Sequence, residues 1–481
     1  MKKIAKKHLI SILCLSLFVV ISSTCALLVF FNKSKANNAD TTKAFEPIER
    51  DTKISVDGNG NLQITRNRVK DTCTLEDDSW TILIYMVGCD VQFKGHVSSD
   101  LNDILGCNVN ANNIDKFNVV LQTGGNDGWY NNYGFLGKNN IQRNVLTSDH
   151  KWKTVEDLGE GNMGDAHTLA NFIQWGLKTY PAEHTMLIMD NHGGNAFGGA
   201  CYDPYYKDDC ISIDEFEYAL ASSKEYMTDT FDLINMAVCS AGSLEYANAL
   251  APYTDYYMAS ADYQYCCGFD WEYSLNKLIN QPDIDIEEFA KYWVDCNVEK
   301  VKSYNQNMGN TSNAVYDLTK LDDTLVELNS IFKQLYELAS KDVKSAKTVH
   351  KAINKDVYTY RSKIQRDVRS MINVIKNQFN IDNTKANDAL NKLVIYYQKG
   401  YYISKGSTIL SIAYPYNNSA WGKGSLNIMR NLTFSPYYMN LLELNSHLLT
   451  NKTLDKYVKY DWAQSKFFYE DTFNFLNYKN Y

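Results

Sequence analysis

Two residues carry the chemistry this chain offers most plainly, Cys239 and His192. Cys239 follows the apolar stretch "LINMAV" and precedes Ser240-Ala241-Gly242-Ser243. Small residues there let a substrate backbone approach and leave amide N–H groups at the start of the following helix. A thiol in such a place gains from the positive helix terminus, which favours the thiolate. The same amides can stabilise a developing oxyanion. His192 sits in "MDNHGG", on a flexible Gly193-Gly194 turn just after another apolar run. An imidazole held there can keep a thiolate ionised or protonate a leaving amine. Taken alone, each is more simply a buried small residue or a turn. It is their occurrence together at two strand ends that points to a nucleophile and its acid–base partner.

Those strands must belong to one sheet. Continuous apolar runs recur at Thr81–Val87, Phe117–Gly125, His184–Gly194, Phe231–Gly242 and Asp255–Asp262, the pattern of strands covered on both faces. Between them, Asp165–Tyr180, Ser212–Ser223 and Ser243–Tyr253 place apolar residues at three- and four-residue spacing, as amphipathic helices do. Buried strands alternating with helices predict an α/β fold, a mainly parallel sheet with helices on both faces. Ligands of such sheets bind beyond the carboxyl ends of the strands, where both candidate residues fall. The separation of 47 residues suits one crossover between neighbouring strands.

Outside this core, residues 79–282, the chain changes character. Residues 32–78 read as a polar linker without a sustained period. Residues 283–481 read as a helix-rich C-terminal region, with a strand-like stretch at Ser407–Asn418 that either returns to the sheet or begins a small second one. Lys2, Lys3, Lys6 and Lys7 precede an uncharged run of 23 residues, Leu9–Phe31. That length is sufficient to cross a bilayer, and the basic flank predicts a cytoplasmic N-terminus with the rest outside. Residues 1–31 are thus expected to be a single-pass anchor, with a cleaved export signal as the alternative. The net charge of −8 and the lack of a basic domain exclude nucleic acid as the expected partner. Nine of the 11 cysteines lie beyond the apolar segment, with no CxxC spacing for zinc.

The segments "TILIYMVG", "MDNHGG", "SIDEFEYAL", "INMAVCSAGSLEYA", "SNAVYDLTKLDDTLVELNSI" and "STILSIAYPYN", from about Trp80 to Asn417, resemble the clostripain family of cysteine peptidases, of the caspase-like clan. The resemblance implies a caspase-like fold, protein or peptide substrates and a Cys239–His192 dyad without an essential third member. Backbone amides at Gly193 and Cys239 would form the oxyanion site. Relatives that cut after arginine or lysine carry an aspartate two residues before the cysteine, where this chain has Ala237; Asp262 and Asp270 are the acids that could stand in for it. The family's maturation loop corresponds to Asn195–Ser212, whose one basic site is Lys207-Asp208, and Cys201 and Cys210 flank it either as a disulfide or as plain thiols. No cofactor is required for the chemistry. The family's association with calcium makes Asp203, Asp208, Asp209 and Asp214 its candidate ligands. Two rivals stay open, a transpeptidase on the same fold and a catalytically silent surface binding protein.

Overall fold

The structure, a computed structural model, describes residues 50–89, 95–126, 128–129, 136, 140–265, 269–414, 429, 432 and 434–450. The apolar segment Leu9–Phe31 lies outside them. Among the described residues no helix is long and apolar enough to cross a membrane. Residues 48–481 group as one compact unit.

The strands are β1 (Thr52–Val56), β2 (Leu62–Arg66), β3 (Trp80–Val87), β4 (Phe117–Gly124), β5 (Asn140–Leu146), β6 (Trp152–Glu160), β7 (His184–Asp190), β8 (Ala200–Asp203), β9 (Asp209–Ile211), β10 (Phe231–Ala237), β11 (Thr254–Ala259), β12 (Ser312–Asp317), β13 (Gln365–Asp367), β14 (Val394–Lys399) and β15 (Ser411–Ala413). Among the described residues the main sheet has the order β14-β12-β11-β10-β7-β3-β4-β5-β6. Its five central strands are parallel. At one edge β5 and β6 pair antiparallel, and at the other β12 and β14 do so. The expected parallel core is therefore present, widened by an antiparallel pair on each side.

Period-2 alternation explains the two layers. Along β3, Leu83, Tyr85 and Val87 enter one core cluster, and Ile82, Ile84 and Met86 enter the other. The second cluster is covered by α1 (His96–Leu105), through Val97, Leu101 and Ile104. The first is covered by α2 (Ala166–Thr179), α3 (Ile213–Ser222) and α4 (Leu244–Leu250). Their starts are legible locally. The Asp165 side chain accepts from His167 N–H at 2.7 Å, and Ser212 with Glu215 forms a capping box. Past the strands, α5 (Glu272–Asn280) and α6 (Ile286–Tyr304) join α1 on its face. The long pattern from Leu321 breaks at Ser340-Lys341-Asp342 into α7 (Leu321–Ala339) and α8 (Val343–Asp356), where Asp342 caps the second helix. Helices α9 (Val368–Phe379), α10 (Thr384–Leu393) and α11 (Pro436–Thr450) complete the chain as described.

Two expectations are corrected. Within the supposed polar linker, residues 52–66 form a hairpin whose Ile54 and Leu62 are buried in the core. Its turn closes because Asp57 accepts from Asn59 and Asn61 N–H at 2.8 and 2.9 Å and Gly60 takes φ +77°. Arg66 then ties it to Asp322 on α7 at 2.7 Å. The C-terminal region returns to the main sheet through β12 and β14, not near 407–418. There β15 makes a small second sheet with β13, the other placement the sequence allowed.

Candidate active site

Strands β7 and β10 are parallel neighbours, with Ala237 the register partner of Asp190. His192 and Cys239 each follow by two residues, so the sheet brings them together. The contact is close. Gly193 lies against the Cys239 backbone so tightly that a Cβ there would sit 2.0 Å from the Cys239 carbonyl oxygen and 2.9 Å from Val238 Cγ2. Glycine at 193 is thus a requirement of this approach.

The His192 turn is anchored by its flanks. Asn191 is buried; its Nδ2 donates to Val87 O at 2.6 Å and to Cys89 Sγ at 2.9 Å, and its Oδ1 accepts from Tyr202 N–H at 3.0 Å. The His192 carbonyl accepts from Cys201 N–H at 3.0 Å, and Gly194 N–H donates to Gly199 O at 2.7 Å. These two bonds make the isolated bridge between Gly193 and Ala200. They leave the Gly193 N–H, which lies between them, with no hydrogen bond among the described residues. The imidazole itself is exposed.

Cys239 is half-buried. Its Sγ lies between the main-chain groups of Gln264, accepting from the N–H at 3.3 Å and facing the carbonyl at 3.6 Å. The chain then turns sharply through Ser240, at φ +58°. The amides expected to remain free after the cysteine are used by this turn. Ser240 N–H donates to Asp262 O, Gly242 N–H to Ser260 O and Ser243 N–H to Ala241 O, each at 2.7 Å. The next helix, α4, starts only at Leu244. The reason is that buried amides must be paired, and the Ser260–Asp262 segment after β11 supplies two of the three acceptors.

The predicted acids fall in different surroundings. Asp262 is buried beside the Cys239 turn, and burial pushes its carboxyl up to about 7 while Arg361 pulls it back. Its Oδ1 accepts from Arg361 N–H at 3.3 Å, and its Oδ2 has no hydrogen-bond partner among the described residues. Asp270 instead caps α5, accepting from Ser274 N–H at 3.0 Å. Ala237 is buried on the sheet face that holds Met86 and Ile188. Lys207 and Asp208 lie at the exposed tip of the β8–β9 hairpin, at φ +61° and +56°. Cys201 and Cys210 are thiols, Cys201 fully buried and Cys210 facing Gly198 O at 2.9 Å. The calcium candidates do not gather. Asp203 accepts from Met163 and Tyr205 N–H and Asp209 from Asn162, and no group of three His, Cys, Asp or Glu suited to a metal occurs among the described residues.

One wall of the site was not anticipated. The segment Tyr358–Asp367 reaches the Cys239 turn from more than a hundred residues downstream. Gln365 Nε2 donates to Ser240 O at 3.1 Å, and the Arg361 guanidinium stacks over the Tyr263 ring at 4.9 Å. Strand β15 joins it, as Ser411 N–H and Oγ–H both donate to Gly242 O at 2.9 Å. No local periodicity marks these residues; only a count of polar side chains in a buried setting would have found them. Asp190 was likewise passed over. It ends β7, and burial pushes its carboxyl up to about 7, with His192 pulling it down.

Comparison with solved structures gives the same fold. A secreted C11 cysteine protease from Bacteroides thetaiotaomicron, in complex with an irreversible peptide inhibitor, is similar at 17% identity and TM-score 0.55, over 76% of this chain and 98% of that one. An inactive zymogen C11 protease from Parabacteroides distasonis is similar at 16% identity and TM-score 0.54, over 76% and 99%. No curated protein matched the chain. The profile of the clostripain family matches residues 84–471. With most of its length covered by that profile, and a central sheet of the same fold, the chain belongs to the clostripain family of cysteine peptidases.

Proposed function

We propose that this chain is an exported cysteine endopeptidase working through Cys239 and His192. The observation that carries the reading is the contact of Gly193 with the Cys239 carbonyl, which joins the two strand ends into one site. The Cys239 thiolate attacks the scissile carbonyl carbon. The oxyanion so formed accepts hydrogen bonds from the Gly193 and Cys239 amides, the first of which has no other partner among the described residues. His192 protonates the leaving amine, and the acyl group stays on sulfur as a thioester. Water, deprotonated by His192, then releases the acid and restores the thiol. Ala237 and Asp262 bound the pocket for the residue before the scissile bond. No step uses a metal. Residues 1–31 hold the enzyme at the outer face of a membrane, and the exposed Lys207-Asp208 bond is its site of maturation.

The test compares the full chain with Cys239→Ala on peptides varied at the residue before the cut, in detergent and with amine acceptors present. The variant is expected to lose at least about a thousand-fold in kcat/KM and to keep its Lys207-Asp208 bond intact by mass. A peptide-based electrophile should label Cys239 alone. If the wild type cuts nothing even after the Asn195–Ser212 loop is nicked, the silent binding protein replaces this reading. Joined products in place of hydrolysis would make it a transpeptidase.

A further inference from the structure

His192 stands on one side of Cys239, and the wall on the other side carries a cation. Strand β10 is flanked by β7, which leads into His192, and by β11, beyond which come Tyr263 and Gln264. Gln264 holds the Cys239 sulfur through its main chain, its N–H nitrogen 3.3 Å from Sγ. Arg361 is seated on the residue before it, with the guanidinium carbon 4.9 Å from the centre of the Tyr263 ring.

Both members of this stack are fixed. The Tyr263 carbonyl accepts from Ser312 N–H at 3.2 Å and from Ser260 Oγ–H at 3.0 Å. Arg361 follows Tyr360, whose buried hydroxyl bonds Asp367 and Ser407, each at 2.8 Å. The carboxylate whose charge Arg361 meets, Asp262, is bonded by the main chain: its Oδ1 takes the Arg361 N–H, and its Oδ2 has no hydrogen-bond partner among the described residues. The guanidinium itself makes no ion pair among the described residues. Its polar contact there is Asn310 Oδ1, at 3.5 Å, and the residue is exposed. A guanidinium with five donors, held over a ring and turned to solvent, is preorganised to receive a planar anion.

The mechanism says which part of a substrate passes it. For His192 to protonate the leaving amine, that amine must lie on the β7 side of the sulfur. The acyl half of the substrate then runs off on the β11 side, toward Arg361. Asp262, buried, bounds the pocket of the residue before the cut; Arg361 stands exposed outside it, where residues further upstream lie. We propose that Arg361 is a specificity-determining residue of the cleft, receiving the carboxylate of an aspartate or glutamate upstream of the residue whose carbonyl Cys239 attacks. The inference rests on the peptidase reading above. Two guanidinium N–H groups donate to the two carboxylate oxygens while the Tyr263 ring backs the cation.

The experiment uses the full chain and a peptide that the wild type cuts, with glutamate or glutamine placed in turn at the second, third and fourth residue before the cut. At one of these positions glutamate should be preferred by about fivefold in kcat/KM, the scale of an exposed arginine–carboxylate pair. Salt at about 1 M should erase most of that preference. Arg361→Gln should bring the two peptides within about twofold of each other. Arg361→Glu should turn the order over, with lysine ahead of glutamine at the same position, which the loss of a merely structural support does not produce. Melting curves confirm that each variant is folded, and the salt series on the wild type reads the same contact without a substitution. A wild type indifferent to glutamate at all three positions, a preference that salt leaves intact, a folded Arg361→Gln that cuts neither peptide, or an Arg361→Glu that keeps the wild-type order overturns the proposal and leaves the peptidase reading standing. A wild type that cuts no peptide and takes no electrophile on Cys239 ends both.

Discussion

Gly193→Ala adds one methyl where the His192 turn lies on the Cys239 turn, and the structure sets the size of the effect. The new Cβ would stand 2.0 Å from the Cys239 carbonyl oxygen, 2.9 Å from Val238 Cγ2 and 3.0 Å from the Cys239 carbonyl carbon. Backbone atoms cannot yield as a flexible side chain does, so the two strand ends must part by roughly 1 Å to restore ordinary contact. Overpacking of this kind costs about 1–3 kcal/mol. A displacement of about 1 Å between reacting groups lowers a rate by about 100-fold. The expected outcome is a kcat/KM about 100-fold below wild type, with a lower Tm. Gly406→Ala is the control, since a Cβ there meets nothing within 4 Å, and it should change neither quantity. The assay is peptide cleavage beside thermal melting on the three proteins. A Gly193→Ala enzyme with wild-type turnover would refute the strand-end contact, whatever its Tm.

Two further outcomes follow from groups around the sheet. His184 stacks on Trp80 with ring centroids 4.7 Å apart and hydrogen-bonds Asp232 at 3.0 Å. Burial draws its pKa down, but the hydrogen bond and charge of Asp232 outweigh that and leave it raised. A raised native pKa means stability that is complete below the unfolded value of about 6.5 and lost as pH climbs through the native one. The Tm advantage of wild type over Asp232→Asn should therefore shrink from pH 5.5 to 8.5, and a constant gap would contradict it. Gln365→Ala removes the donor to the Ser240 carbonyl and leaves a buried acceptor unmet, at about 1–3 kcal/mol. Its kcat/KM should fall about 10-fold, and Gln365→Glu, which cannot donate when ionised, should not recover it; a glutamate variant equal to wild type would remove Gln365 from the site's support.

The chain's own order of residues determined much of this protein. Apolar runs that recur between amphipathic stretches mark β3, β4, β7, β10 and β11 with the helices between them, because a strand buried on both faces must be apolar along its whole length. Asp165 and Ser212 mark helix starts through bonds to amides a few residues away. His192 and Cys239 were legible for the same reason, each being a reactive group at the end of such a run. Strands β5 and β6 were not, since Trp152–Glu160 at the sheet edge is largely polar and exposed. The hairpin Thr52–Arg66 was missed because five-residue strands give too short a period.

Tertiary structure decided what stands beside what. That Asp190 and Ala237 are neighbours depends on strand order and register, which long-range packing sets and no local window contains. The Gly193 amide left without a bond among the described residues, the amides consumed after Cys239 and the Gln365 contact to Ser240 depend likewise on which carbonyls and side chains the fold delivers. A sequence carries the reactive groups and the periods that form strands and helices. Which group meets which is settled only when the apolar faces are buried together and every enclosed polar group must find a partner.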